Sequence, residues 1–325
     1  MEIALAYSLK DKFETQLAPS SKWALEEHDS EQTIRSIQMA LEKHGFQVAL
    51  IGDGKEFISI IDRKRYPLVF NIAEGIGSWT REAHIPSVLE MLQIPYTHSD
   101  PHTLTICQDK LLANIYLKSV KIPSPRCISI DKYNWHQMEH LDLRFPIITK
   151  PRYEGSSIGI ENKSVCYKMT QLRNSINYII EVFHQPAILE EFCEGSEYTA
   201  GVIGNGNEAR CIGLMEIAFK DTQNLVYGLE QKREWEQHTV RRIITGCDKL
   251  KNLAVQTHKE LRCRDVSRID IRLKGGAPHV IDVNPLPGLT EHYSLLPSLA
   301  TEYSHDQLIN EITQVALRRN NLSVK

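Results

Sequence analysis

Three short apolar runs near the start of the chain, "EIALAY" at 2–7, "FQVALIG" at 46–52 and "YPLVFNIAEG" at 66–75, have the length and branched-residue content of strands. Between the first two lies "SEQTIRSIQMALEKHG", where apolar positions recur at helical spacing. Ser30 stands before the pattern and Gly45 after it, as a cap and a stop. "REAHIPSVLEMLQIPY" repeats the helical period and leads into a short strand at Pro95–Thr97. Strand, helix and strand in this order predict a parallel, doubly wound α/β unit covering about residues 1–98.

After "HSDPHT" the pattern changes. "LTICQDKLLANIYLKSVKIPSP" reads as one helix closed by prolines, and "FPIITKP" as a strand running into a glycine- and serine-rich turn, "RYEGSSIGI". A helix around 170–183 precedes the strand "AILEEF". "SEYTAGVIGN", "EARCIGLMEIAF", "DVSRIDIRLKGG" and "PHVIDVN" alternate as antiparallel strands, with hairpin signals at Gly204–Gly206 and Gly275–Gly276. A helix over 246–262 interrupts them, and "SHDQLINEITQVALRR" closes the chain as an amphipathic helix. The organisation is α/β followed by α+β: a first unit over 1–98, a second over 99–185 and a third over 186–325.

In "HVIDVNPLPGLT", at 279–290, Val280, Ile281 and Val283 read as buried strand, yet Asp282 and Asn284 interrupt it on one face, and a proline-bracketed turn follows. Asp270 lies on the preceding strand, across the Gly275–Gly276 hairpin. If the two strands pair, Asp270, Asp282 and Asn284 converge into an all-oxygen cluster suited to Mg2+, which keeps waters and leans on phosphate. Arg268 shares the face and has the fork to clamp a phosphate. The same residues also read as hairpin-end polar groups satisfied locally.

Lys150 at the end of "FPIITK", beside "EGSSIG", is placed like a phosphate-binding lysine next to a backbone anion nest; a tight turn with a snorkelling lysine is the alternative. Glu190, Glu191 and Glu197 offer carboxylates to ribose hydroxyls beside a strand-linker backbone able to read an adenine edge, or else face solvent on an edge strand. Lys110 and Lys232 are by composition ordinary surface lysines. No Walker A spacing or HExxH pair is present.

Composition narrows the class without naming it. A net charge of -3 spread over both signs argues against nucleic acid and membrane surfaces, and "RKR" at 63–65 is the one short basic run. Seven scattered cysteines form neither CxxC nor a Cys/His pattern, which fits a reducing compartment. "MEIALAYSLK" reads as a first strand and not a signal peptide, and no apolar run is long enough to span a bilayer, so a soluble, cytoplasmic protein is expected.

The ordered series "QDK", "TKP", "EGSSIG", "LEEFCEGSEYT", "SRIDIR" and "VIDVNPLPGLTEH" resembles the ATP-grasp enzymes, and most closely the D-alanine–D-alanine ligase family, from "VFNIAEG" at 69 to "LLPSLA" at 300. The resemblance implies an ATP-grasp fold: a Rossmann-like pre-ATP-grasp domain followed by two α+β lobes clasping ATP. It implies that Lys110 and Lys150 hold nucleotide phosphates under a loop carrying Ser156 and Ser157. Glu190 would face adenine, the Phe192–Cys193 backbone would read its edge, and Glu197 would hold the ribose. Lys232 would reach the transferred phosphate from a mobile loop, Arg268 would stabilise an acyl phosphate, and Gly288 would offer its N–H to substrate. Asp270, Asp282 and Asn284 would bind Mg2+, or Mn2+ in its place.

The implied activity is an ATP-dependent carboxylate–amine ligase working on amino acids or short peptides, with homodimers formed through the first lobe. D-alanine–D-alanine ligation in peptidoglycan precursor synthesis is one alternative, and a nucleotide-binding module without ligation another. Departures from the family pattern concentrate in the amino-acid pocket. Asp282 stands where glutamate is usual, and "AYSLKDKFETQ" lacks the Gly-Gly-x-Ser-x-Glu stretch. Glu74–Gly75 replaces a histidine–glycine pair, "SWTREAH" brings in Arg81 where the family has an acidic stretch, and Arg233 replaces a tyrosine after the mobile-loop lysine. Arg81 and Arg233 either hold a second substrate carboxylate or face solvent.

Overall fold

The computed structural model describes residues 1–10, 12, 25–61, 66–221 and 223–323. The basic run at 63–65 and part of "AYSLKDKFETQ" lie outside the described residues.

The first unit is a parallel sheet in the order β2-β1-β3, built from β1 (Glu2–Tyr7), β2 (Gln47–Leu50) and β3 (Val69–Ile72). Strict alternation in β1 sends Ile3 and Leu5 to one face and Ala4 and Ala6 to the other, each face having its own apolar cluster. Helix α1 (Glu31–Lys43) covers the first face with Ile34, Ile37 and Leu41. Its N-cap is Ser30, whose hydroxyl accepts from the Thr33 N–H at 3.2 Å. Helices α2 (Gly54–Ile60) and α3 (His84–Met91) cover the second with Phe57, Ile85 and Leu89. The strand expected at Pro95–Thr97 is a single bridge between Val69 and Tyr96.

The single helix expected over "LTICQDKLLANIYLKSVK" is two: α4 (Pro101–Gln108) and α5 (Lys110–Ser119). Asp109 breaks it by adopting extended backbone, its carboxylate capping the Leu111 and Leu112 N–H groups. Arg152 fixes that carboxylate through two hydrogen bonds of 2.8 and 2.7 Å. The break makes Lys110 the first residue of a new helix, directed at the glycine- and serine-rich turn.

The second sheet runs β4-β7-β5-β6, from β4 (Cys127–Ile130), β5 (Ile147–Pro151), β6 (Val165–Cys166) and β7 (Ala187–Glu191), and packs on α6 (Met169–Phe183). The third, all antiparallel, runs β10-β9-β8-β11-β12. Its strands are β8 (Glu197–Ile203), β9 (Arg210–Phe219), β10 (Thr239–Ile243), β11 (Val266–Lys274) and β12 (Ala277–Asn284). Between β9 and β10 lie the short helices α7 (Leu229–Arg233) and α8 (Trp235–His238), and α9 (Asp248–Glu260) leads into β11. Gly275 and Gly276, at φ +57° and +79°, form the two-residue turn that joins β11 to β12 and fixes their register.

Helix α10 (Leu295–Leu299) seats on β8 and β9 through Leu296 and Leu299. The closing helix α11 (His305–Arg319) returns to pack on α1, joining the first and last parts of the chain in one cluster. A Cβ on Gly213 would lie 2.1 Å from the Leu299 carbonyl oxygen, a backbone atom that cannot swing aside. Gly213→Ala is therefore expected to cost about 3 kcal/mol through forced separation of helix and sheet, read as a lower melting temperature. An unchanged melt would show that α10 is not held against β9.

Candidate active site

The face of β11 and β12 carries the chemistry. Asp270 pairs directly with Asp282, and Arg268 with Asn284, so the four side chains project together. The register slips by one residue after Asp270, leaving Ile281 as the extra residue of a β-bulge. That slip keeps Val280 and Val283 in the core while turning both Ile281 and Asp282 toward the cleft, so the expected burial of Ile281 as plain core does not hold. Arg268 grips Asp270 with two hydrogen bonds of 3.0 and 2.9 Å, and Thr199 donates to the same carboxylate at 2.7 Å. Burial opposes ionisation of Asp270, but these partners hold its carboxyl below the usual range. Asp282 has no hydrogen bond or ion pair among the described residues, leaving both its oxygens available.

This face closes one wall of a cleft with about 850 Å³ of empty space between the second and third sheets. Apolar side chains of Ile148, Ile160, Val226 and Ile281 line its inner part. Lys150 and Glu190 meet there, Nζ to Oε2 at 2.6 Å, with both side chains almost fully buried. Burial opposes the lysine's charge, yet Glu190 holds its ammonium above the ordinary range. Phe192 and Cys193 continue the wall from the end of β7. Glu197 follows at the start of β8; burial raises its carboxyl despite Arg272, whose Nε lies 3.7 Å away. Arg272 also sits over the Phe192 ring, 4.6 Å from its centroid.

Two segments cover the cleft. Ser156 and Ser157 both adopt left-handed backbone, φ +47° and +60°, a conformation costly for residues with side chains. Successive turns of this kind aim backbone N–H groups at one point. The Ser157 hydroxyl donates to the Tyr227 carbonyl at 2.8 Å, tying this turn to the segment that ends in α7. Lys110 donates to the Glu154 carbonyl beside it. Lys232, on α7, points into the cleft with its Nζ 5.7 Å from the Tyr227 ring centroid. Burial, then the nearby Arg268 charge, pushes its ammonium down to about 8.

A second cavity, with about 910 Å³ of empty space, adjoins the first and shares Lys110, Lys232, Arg268 and Asp282 with it. Asn284, Gly288 and Ser294 form its floor, and its far wall comes from the first unit. The residues singled out from sequence gather at these two cavities: Lys150, Ser157, Glu190, Phe192, Cys193, Glu197 and Asp270 line the first, Asn284 and Gly288 line the second, and Lys110, Ser156, Lys232, Arg268 and Asp282 line both.

Comparison with known proteins bears on this arrangement. The family model described as D-ala D-ala ligase C-terminus matches residues 116–314. The chain belongs to the D-alanine–D-alanine ligase family. It is 29% identical over 299 residues to an uncharacterized protein of Sinorhizobium fredii, covering 87% of each chain. It is 28% identical over 313 residues to a D-alanine–D-alanine ligase of Fervidobacterium nodosum, covering 90% of this chain and 96% of that one. The fold matches the crystal structure of the Bacillus anthracis D-alanine–D-alanine ligase complexed with ATP, with TM-score 0.74, 20% identity and 99% of each chain covered. The architecture is the ATP-grasp fold.

Within the family frame the two unassigned arginines prove to be occupied. Arg81 is mostly buried and pairs with Glu27 and, at 3.4 Å, with Glu154, while donating to the Tyr153 carbonyl. Arg233 is half exposed and pairs with Glu26. Of the two alternatives, neither side chain is free to receive a substrate carboxylate, and Arg81 does not face solvent; Arg81 fastens the 25–29 segment to the glycine- and serine-rich turn, and Arg233 fastens it to α7. Sequence reasoning missed the acidic residues of that segment, Glu82 in the second cavity, and Ile281 and Arg272 in the first. Nothing in the local pattern marks Glu26, Glu27 and Asp29, and only the three-dimensional return of that segment over the second cavity reveals them.

No helix among the described residues is long and apolar enough to cross a membrane. The described residues hold no cluster of three or more histidine, cysteine or acidic side chains placed for a metal ion. The expected metal set is smaller, two carboxylates and a carboxamide, and its all-oxygen chemistry fits Mg2+ completed by water and phosphate.

Proposed function

We propose that the protein is an ATP-dependent ligase that joins the carboxylate of one small amino-acid-type substrate to the amine of another. The observation that carries this reading is the junction: Lys232, Arg268 and Asp282 line both cavities at once, where a nucleotide's terminal phosphate and a substrate carboxylate would meet. A module that only held nucleotide would have no use for a second, connected cavity.

In the proposed reaction a carboxylate oxygen attacks the terminal phosphorus of ATP and ADP leaves. The amine nitrogen then attacks the acyl phosphate carbon, expels phosphate and loses a proton. The second and third sheets clasp the nucleotide between them, while unit 1–98 closes the substrate side. The expected boundary at 185 falls too early, because β7 (Ala187–Glu191) is an inner strand of the second sheet, paired on both sides with β4 and β5. Lys110 and Lys150 hold phosphates, Glu197 the ribose, Glu190 and the Phe192–Cys193 backbone the adenine, and the Ser156–Ser157 turn covers the phosphates. Lys232 and Arg268 neutralise charge on the migrating phosphoryl group, and Gly288 presents its N–H to the substrate. In a water-excluded site this positioning and neutralisation is most of the catalysis. Asp270, Asp282 and Asn284 would hold Mg2+ or Mn2+, which supplies further charge neutralisation to the phosphates. A homodimer through the first unit belongs to the same reading, supported by the exposed apolar side chains Met39 and Met91 on its helices.

The test is release of ADP and phosphate from Mg-ATP with D-alanine, then with pooled L- and D-amino acids and dipeptides. Turnover that requires an amine-bearing substrate, with a condensed product seen by mass spectrometry, is expected. Nucleotide binding without turnover in any pool would sink the ligase reading. Turnover with D-alanine would extend the activity to cell-wall precursor synthesis.

A further inference from the structure

The far wall of the second cavity is unusually acidic: Glu27, Asp29, Glu74 and Glu82 line it, drawn from three separate segments of the first unit. Glu27 is neutralised by Arg81. Asp29, Glu74 and Glu82 have no hydrogen-bonding or ion-pairing partner for their side chains among the described residues. Arg81 lies close enough to offset Glu74 and Glu82 in part, and Lys110 offsets Glu82, but both cations are committed elsewhere, to Glu27 and to the Glu154 carbonyl.

The electrostatic state is what such packing should produce. Burial raises Asp29 to about 7 and Glu82 to about 8, and raises Glu74 well above the carboxylate range, with repulsion from Glu82, Glu27 and Asp29 adding to it. All three side chains are half-buried and line the cavity without partners, so they hold protons readily until a cation beside them makes the ionised form favourable. These three face a cavity that opens onto Lys232, Arg268 and Gly288. The wall is complementary to positive charge and shares its cavity with Lys232, Arg268 and Gly288. A lone α-ammonium group would satisfy one carboxylate and leave the others bare.

Building on the ligase reading, we infer that the amino-acid substrate carries a second cationic nitrogen, as in amino acids with ammonium or guanidinium side chains, and that Glu74 and Glu82 select it. The substrate carboxylate lies toward Lys232 and Arg268, and the cationic end lies against the acidic wall. A neutral amino acid would leave the wall unpaired, which is how a site built for charge rejects the uncharged analogue.

The experiment uses the full chain with Mg-ATP and compares alanine, ornithine, lysine and arginine, each as both enantiomers. A further arm supplies alanine together with a diamine. Nucleotide binding and lysine binding are followed separately by thermal shift. For at least one basic amino acid, kcat/KM is expected to exceed that for alanine by about tenfold or more, the worth of one charge-assisted contact. In the Glu74→Gln, Glu82→Gln double variant the KM for that substrate should rise about tenfold while kcat changes less. ADP should still raise the melting temperature of the variant, showing that it folds.

Turnover of alanine only when a diamine is present would place the same cationic chemistry on the amine partner and would support selection by the wall. Equal or better use of alanine alone overturns the inference and leaves the ligase reading intact. Lysine binding without phosphate release from any acid overturns the ligase reading and leaves cation recognition standing. Neither binding nor release overturns both.

Discussion

Lys150→Ala is expected to cost both nucleotide binding and stability. The ammonium and the Glu190 carboxylate lie 2.6 Å apart, on adjacent strands of the second sheet, with side chains 9% and 5% exposed. Taking away one member of such a pair leaves the other charge buried and uncompensated, a loss of about 3–5 kcal/mol against a total stability of roughly 5–15 kcal/mol. The melting temperature should fall by about 10 °C. ADP, expected to stabilise the wild type by mass action, should no longer shift the melt. Lys150→Met combined with Glu190→Gln separates the two effects. It removes both charges, so it should recover most of the lost stability while nucleotide affinity stays lost. If Lys150→Ala alone melts like the wild type, water reaches the pair and the argument from burial fails.

Much of the site was legible because its residues follow local rules. Asp282 and Asn284 share a face by strand periodicity, and the Gly275–Gly276 turn sets β11 against β12 in the register that brings Asp270 and Arg268 opposite them. The features that escaped depend on local breaks or on distant returns of the chain. The bulge at Ile281 inverts the alternation without a glycine or proline to announce it. Asp109 splits a helix whose apolar pattern runs through unbroken, because a capping carboxylate held by Arg152 outweighs propensity there.

The edge strands β4 and β10 are short and half exposed, so neither presents the alternation or the solid apolar run by which strands are recognised. The arginines are the sharper lesson. Arg81 and Arg233 were legible as departures from the family pattern, but their partners Glu27 and Glu26 lie far away in the chain. A charged residue's role depends on what the fold brings to it, and that pairing decides between substrate contact and structural clasp.

Asp282→Asn should behave unlike the lysine variant, losing catalysis while keeping the fold. Among the described residues the Asp282 carboxylate makes no hydrogen bond or ion pair, and the charge on Arg268 is met at close range by Asp270. The amide is of similar size, and a melt within about 0.5 kcal/mol of the wild type is expected. Turnover, in contrast, should fall about a thousandfold, because a carboxylate that holds the metal beside the migrating phosphoryl group contributes several kcal/mol to charge stabilisation. Withdrawal of Mg2+ with a chelator should abolish turnover in the wild type, and excess Mg2+ should restore little in the variant. Asp270→Asn provides the contrast. It strips Arg268 of its buried counter-charge, so stability and turnover should fall together, the former by about 3 kcal/mol. If Asp282→Asn stays within tenfold of wild-type turnover, or if chelation leaves activity intact, the strand face is not the metal site, and Asp282 would be only a polar residue at the end of a hairpin.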